Sequence, residues 1–326
     1  MNIWTRRRLF IAGLGGAVAW PFAARAQQRM PVIGYLSAGA IGSYAPPAFH
    51  RGLSQAGYVE GRNVAIESRW AQNDPRRLPD LAADLVRRQV AVIAAGGGTA
   101  ALAAKALTST IPIVFLSTFD PVEQGIVASL NRPGGNVTGF ASLAGEVERK
   151  QLGLIHELLP RATRFALLRS RAGATRGTVI TDLQVAAESI GVEMEVLDAG
   201  TNAAIDQAFA DLVQKHIEAL LVENVFLFRD RRTQILTLAA HHSIPVMYGG
   251  RADVEAGGLM SYGPNTTDLD RQFGIYIGRV LKGEKSADLP VMRATRFEFL
   301  INLQTAKTLG IEVPPTLLAL ADEVIE

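Results

Sequence analysis

The sequence predicts an α/β protein built as two doubly wound parallel-sheet lobes joined by a multi-strand hinge. Three observations carry that expectation. A chain of 326 residues suits two such lobes better than one. Short, continuous runs of β-branched and apolar residues alternate with helical periods, as strands covered on both faces of a parallel sheet do. The alternation runs once up to Gly139, restarts, and strand-like material returns near the end, where it must join a sheet already built.

In the first lobe, residues 32–36 read as a strand, followed by a helix carrying Ala48, Phe49 and Leu53 that stops at Gly57. Residues 64–66 form the second strand. Asp74-Pro75 then opens a helix with Leu78, Leu81, Ala82 and Leu85 on one face. A strand over 90–95, a helix over 99–107 and a strand over 111–116 follow. A further helix carries Val122, Ile126, Val127 and Leu130, closed by Arg132-Pro133-Gly134-Gly135.

The second lobe begins with a helix bearing Val147, Leu154, Ile155 and Leu158 that ends at Pro160, then a strand over 165–168. A helix over 178–190 stops at Gly191. Val192, Met194 and Val196 alternate with acidic residues, as an edge strand would. Helices over 205–214 and 230–240 feed strands over 219–222 and 244–248. Leu269, Phe273, Tyr276, Ile277 and Val280 mark a long helix ending at Gly283. A strand over 297–301, a short helix over 305–309 and a C-terminal helix opened by Pro314-Pro315 complete the chain. Three crossings are expected, near 139–143, 261–265 and 290–295. They assign 30–140 with 264–290 to lobe 1, 141–263 with 291–312 to lobe 2, and 313–326 to the terminal helix.

The first 26 residues have the three parts of a cleavable signal peptide: Arg6-Arg7-Arg8, an apolar run from Leu9 to Phe22, and Ala24-Arg25-Ala26. A run of this length falls short of the roughly 20 residues of a membrane span. Arg7-Arg8-Leu9-Phe10-Ile11 resembles a twin-arginine signal; the alternative is the general secretory route. Either route predicts a periplasmic protein. Beyond this segment 29 basic residues face 31 acidic ones, and so near-neutral a body argues against nucleic acid as a partner. The absence of cysteine excludes disulfides, thiol catalysis and cysteine-zinc sites.

The sequence shows no catalytic set. Its five histidines are not spaced as a metal pair, and Ser142 lies outside any G-x-S-x-G elbow. Gly96-Gly97-Gly98-Thr99 lies between a strand and a helix, where it can be a tight capped turn or a cradle for an anion. It has neither the dinucleotide nor the phosphate-loop spacing. The remaining candidates are polar residues at strand ends, where open α/β sheets hold ligands. In lobe 1 these are Ser37, Trp70, Thr99, Ser117, Thr118 and Asp120; in lobe 2, Arg169, Ser170, Glu223, Asn224, Tyr248 and Arg251. Many strand-end polar groups without a catalytic constellation point to binding rather than chemistry.

Several segments resemble the ABC-transporter substrate-binding proteins of the tryptophan/tyrosine-type periplasmic family. They are Pro31-Val32-Ile33-Gly34-Tyr35-Leu36, Gly57-Tyr58-Val59-Glu60-Gly61, Phe119-Asp120-Pro121, Gly257-Gly258-Leu259-Met260-Ser261-Tyr262-Gly263 and Ile301-Asn302-Leu303. The most specific is Asn131-Arg132-Pro133-Gly134-Gly135-Asn136-Val137-Thr138-Gly139. The resemblance covers essentially the whole chain. It implies a type I periplasmic-binding fold with ligand held between the lobes, no cofactor, and cleft positions at Ser37, Gly98-Thr99, Thr118-Asp120, Ser170, Asn224 and Tyr248. Two loops depart from the family pattern, Arg169-Ser170-Arg171-Ala172-Gly173 and Glu223-Asn224-Val225-Phe226, and both touch the pocket wall.

The resulting expectation is a monomeric binding protein that captures a small organic solute by hinge closure and passes it to a membrane ABC permease. For an amino acid, the carboxylate is expected near Thr99 or Arg251 and the ammonium near Asp120 or Glu223. Tyr35, Phe119, Phe226 and Tyr248 would supply apolar walls. A sensory module for a membrane receptor and an exported α/β enzyme are the alternatives.

Overall fold

The computed structural model describes residues 30–41, 47–170 and 177–326. The expected signal peptide over 1–26 and the loop residues Arg171, Ala172 and Gly173 lie outside the described residues. The chain first lays down β1 (Val32–Ser37), α1 (Pro47–Gln55), β2 (Ala65–Trp70), α2 (Leu78–Arg87), β3 (Val92–Gly96), α3 (Gly98–Lys105), β4 (Ile113–Ser117) and β5 (Val137–Ala141). It then crosses to a second lobe made of α4 (Ala144–Leu158), β6 (Arg164–Arg169), α5 (Gly177–Ser189), β7 (Glu193–Asp198), α6 (Asn202–Gln214), β8 (Ala219–Val222), α7 (Phe226–Asp230), α8 (Arg232–His241), β9 (Val246–Tyr248), α9 (Arg251–Glu255) and β10 (Met260–Pro264). The next elements, α10 (Thr266–Leu281) and β11 (Met292–Arg293), belong to the first lobe. The chain ends in the second with β12 (Phe297–Asn302), α11 (Leu303–Thr308), α12 (Pro315–Leu320) and β13 (Glu323–Ile325).

Among the described residues the first sheet has six strands in the order β11-β5-β4-β3-β1-β2, and all its pairings are parallel. The second has seven, β13-β12-β10-β9-β8-β6-β7, parallel except for the β10–β12 pair. Continuous burial of strands such as β3 and β5 follows from an apolar cluster on each face. In lobe 1, Leu85, Ala101 and Phe115 share one cluster, while Tyr35, Phe49 and Phe273 share the other. In lobe 2 the corresponding pair is Leu152, Phe165 and Met260 on one side, Phe209, Ile235 and Tyr248 on the other.

Local chemistry sets the element ends. Thr201, Asn265 and Asn302 each accept a backbone N–H three residues on, capping α6, α10 and α11. Helices α1 and α10 meet backbone to backbone. A Cβ on Gly52 would lie 1.9 Å from the Arg271 carbonyl oxygen, and one on Gly274 would lie 2.3 Å from that of Phe49.

Some expectations need correction. The helix expected around Val122, Ile126, Val127 and Leu130 is a series of turns, although Ile126 and Val127 are buried. Asp120 Oδ1 accepts the Val122 and Glu123 N–H groups, and Gly125 takes a left-handed φ of +71°, so no helical ladder propagates. The helix expected over 230–240 starts two residues later, as α8, and a separate short helix, α7, precedes it. The terminal helix covers only Pro315–Leu320, because Asp322 bonds the Phe299 backbone in both directions and turns the chain into β13 along the β12 edge. The crossings follow β5, β10 and β11, and Met292-Arg293 pairs with Phe140-Ala141 of lobe 1.

Candidate functional site

The carboxyl ends of both sheets face a common cleft holding about 1150 Å³ of space, open solvent at its mouth included. From lobe 1 come the β3–α3 turn (Gly96, Gly97, Gly98, Thr99), the end of β4 (Leu116 to Phe119), and Ser142 beyond β5. From lobe 2 come Ser170 after β6 and the Asn224-to-Arg229 segment after β8. Leu269 and Asp270 of α10 join the lining, as do Asn73 and Phe140.

The three glycines each admit a neighbour at close range. A Cβ on Gly96 would sit 2.7 Å from the Tyr35 hydroxyl, and one on Gly98 would sit 2.4 Å from Gln124 Oε1. Gly97, at φ +115°, has the Phe226 ring 3.3 Å from the Cβ position, so a lobe 2 aromatic lies directly on the lobe 1 turn. The N–H groups of the first turn of α3 therefore open onto a space walled by Phe119, Phe140, Phe226, Leu116 and Leu269. Gln124 and Ser117 brace that wall, 3.1 Å apart.

Two ionisable groups line the same space. Asp270 is buried, and burial pushes its carboxyl up to about 8. Burial holds the Arg229 guanidinium, which stacks 5.7 Å from the Phe226 ring centre, below its ordinary range. Beneath them Tyr35 is raised well above the usual phenol range by burial and then by the charge of Asp270. The lobes also touch through Asp230, whose Oδ2 accepts the Ala40 N–H (3.1 Å) and the Asn73 side-chain amide (2.9 Å).

Of the residues expected at the site, Gly98, Thr99, Ser117, Thr118, Ser170 and Asn224 line this cleft. The others do not. Ser37 is fully buried and accepts the Gly39 N–H. Trp70 packs 5.3 Å from the Tyr35 ring. Asp120 holds its own turn and lines a separate recess with Arg149 and Asp182. Tyr248 is buried in the lobe 2 core. Arg251 pairs with Glu323 (2.6 Å), Glu298 (3.3 Å) and Glu255 (3.5 Å). Among the expected apolar walls, Phe119 and Phe226 line the cleft while Tyr35 and Tyr248 are core. Sequence reasoning passed over Asn73, Gln124, Arg229 and Asp270. The available signal for Asp270 was an acid in register with Phe273, Gly274 and Ile277, on the buried stripe of α10. Among the described residues no group of three His, Cys, Asp or Glu could hold a metal ion. None of their helices is long and apolar enough to cross a membrane.

A family profile described as ABC transporter substrate binding protein matches residues 45–325. The chain is similar to a tyrosine-binding protein of Clostridioides difficile strain R20291, with 29% identity over 268 residues, or 82% of this chain and 77% of that one. Among solved structures it resembles an ABC domain from Streptococcus pneumoniae in complex with L-Trp, at 24% identity and a TM-score of 0.81, covering 90% of this chain and 99% of that one. It also resembles the ligand-free, open structure of a Clostridium difficile substrate-binding protein with adhesive properties, at 25% identity and a TM-score of 0.63, covering 91% and 99%.

Proposed function

Because the chain belongs to the family of ABC transporter substrate-binding proteins, which capture a small solute for an ABC importer, we propose that its own solute is an aromatic amino acid, with L-tyrosine the first to test. Its architecture is the type I periplasmic-binding fold. The observation that carries the reading is the lining of the cleft: aromatic and aliphatic walls from both lobes around a few polar groups, the α3 N-terminus, Arg229 and Asp270 among them. Such a space suits a solute with an apolar ring and a charged end. The likeness to a tyrosine-binding relative supports the same class.

Binding would proceed by closure. The solute bridges the lobes, water leaves, and each polar contact strengthens in the drier surroundings. Only a higher affinity for the closed form shifts the equilibrium. The contacts of Phe226 with Gly97 and of Asp230 with Asn73 support a closed arrangement here. The solute leaves unchanged, the protein works as a monomer, and export through a twin-arginine or general secretory signal would place it in the periplasm.

Thermal shift and calorimetry test the reading. L-Tyrosine at a hundredfold excess over its dissociation constant adds about 2.7 kcal/mol of stability. Phe226→Ala, which removes the aromatic wall and its contact with Gly97, weakens binding at least tenfold. A protein that responds to sugars and ignores all aromatic amino acids contradicts the assignment.

A further inference from the structure

A small recess of about 340 Å³, against 1150 Å³ for the cleft, opens off it, sharing Thr118, Phe119, Ser142 and Asn224. Its inner wall is made by Glu148 and Gln151 of α4 and by Glu223, the residue after β8. Both glutamates are at least nine-tenths buried, at 5% and 3% exposure. Glu223 Oε2 accepts the Ser170 N–H at 2.7 Å. The Gln151 amide donates to the Tyr262 and Tyr248 carbonyl oxygens, so its two hydrogens are occupied. Glu148 Oε2 is buried with no hydrogen-bond partner among the described residues.

Such an arrangement needs an explanation, since a buried carboxyl without a partner is costly and a second one beside it adds repulsion. Glu148 does not sit on a solvated face. It shares the buried stripe of α4 with Gln151, Leu152 and Ile155. No other charged side chain lines the recess among the described residues, and Arg149, the neighbour on α4, is exposed. Burial, and after it the charge of Glu223, push Glu148 up to about 8, so at neutral pH Glu148 retains a proton. What fits is a small cationic donor. Two carboxyls are too few for a divalent cation, which takes six or more oxygens.

We infer that the recess is an ammonium subsite: Glu148 and Glu223 receive the primary amine of the solute while its body lies in the cleft. The inference rests on the cleft being the solute site. When the ammonium enters, Glu148 ionises and its proton passes to the buffer, leaving two carboxylates around one cation.

Calorimetry at pH 7 in two buffers of different ionisation heat tests this, with L-tyrosine, tyramine and 3-(4-hydroxyphenyl)propionate as probes on the wild-type protein and on Glu148→Gln. L-Tyrosine and tyramine bind with release of close to one proton, and the propionate, which lacks the amine, binds at least tenfold more weakly than L-tyrosine. Glu148→Gln abolishes the release and narrows that preference. If the variant does not fold, the wild-type comparison of amine against deamino probe decides alone. Equal affinity with and without the amine means a recess that holds only water and overturns the subsite, while leaving the aromatic reading standing. Failure of all three probes to bind overturns the aromatic reading and the subsite together.

Discussion

Asp270 and Glu148 are carboxylic acids on otherwise apolar helix stripes, and their burial has a measurable consequence in the solute-free protein. Each is raised to about 8 from an ordinary value near 4. Between those limits the folded protein holds protons that the unfolded chain has released. Their contribution to stability is therefore full below about pH 4 and declines as pH climbs toward 8. The melting temperature of the ligand-free protein should fall between pH 5 and 8, and Asp270→Asn and Glu148→Gln should each flatten the slope. A melting temperature that climbs over this interval, or slopes unchanged in both variants, would count against the assigned burial. Neither residue was singled out from sequence. An acid on a helix reads by default as solvated, and only tertiary packing buries these two, Asp270 at the cleft wall and Glu148 in a recess lined from both lobes. Ser37 and Tyr248 illustrate the converse. Both occupy strand ends, yet their side chains point into the core rather than the cleft.

The α1–α10 contact makes a prediction at the scale of elements. With a Cβ at Gly52 1.9 Å from a carbonyl oxygen and one at Gly274 2.3 Å from another, Gly52→Ala and Gly274→Ala must push the helices apart. Overpacking of this kind costs typically 1–3 kcal/mol, readable as a lowered urea midpoint with an unchanged slope. A loss below about 0.5 kcal/mol in both variants would mean that the helices meet less closely. The periodic helices and continuous strands were legible from residue pattern alone, because burial on one or two faces writes itself into hydrophobic spacing. Elements at the hinge were not. The crossings expected near 139–143 and 261–265 carry Gly or Pro and hide strand residues: Gly139 to Ala141 end β5, and Ser261 to Pro264 belong to β10, before the chain crosses. The turn after Asp120 has helical spacing but lacks a helical backbone, since one left-handed glycine and an aspartate capping its own turn outweigh apolar periodicity.

At the scale of the molecule the parts converge on two lobes that meet over a cleft. Gly98-Thr99 could be found from sequence because glycine density between a strand and a helix has few explanations. Thr118, Ser170 and Asn224 could be found because strand ends face the cleft. The partners that reach across it depend on three chain crossings and leave no local trace. Asp230 is one of these, and its two hydrogen bonds to lobe 1 tie the lobes together. At roughly 1 kcal/mol each, Asp230→Ala lowers the closed population, and with it L-tyrosine affinity, about thirtyfold. Undiminished affinity would remove Asp230 from the closing contacts. Small-angle X-ray scattering of the protein, with and without L-tyrosine at a concentration that calorimetry shows to be saturating, tests most directly whether the lobes shut over their solute. The account predicts a smaller radius of gyration in the loaded protein; identical radii at full occupancy would contradict it.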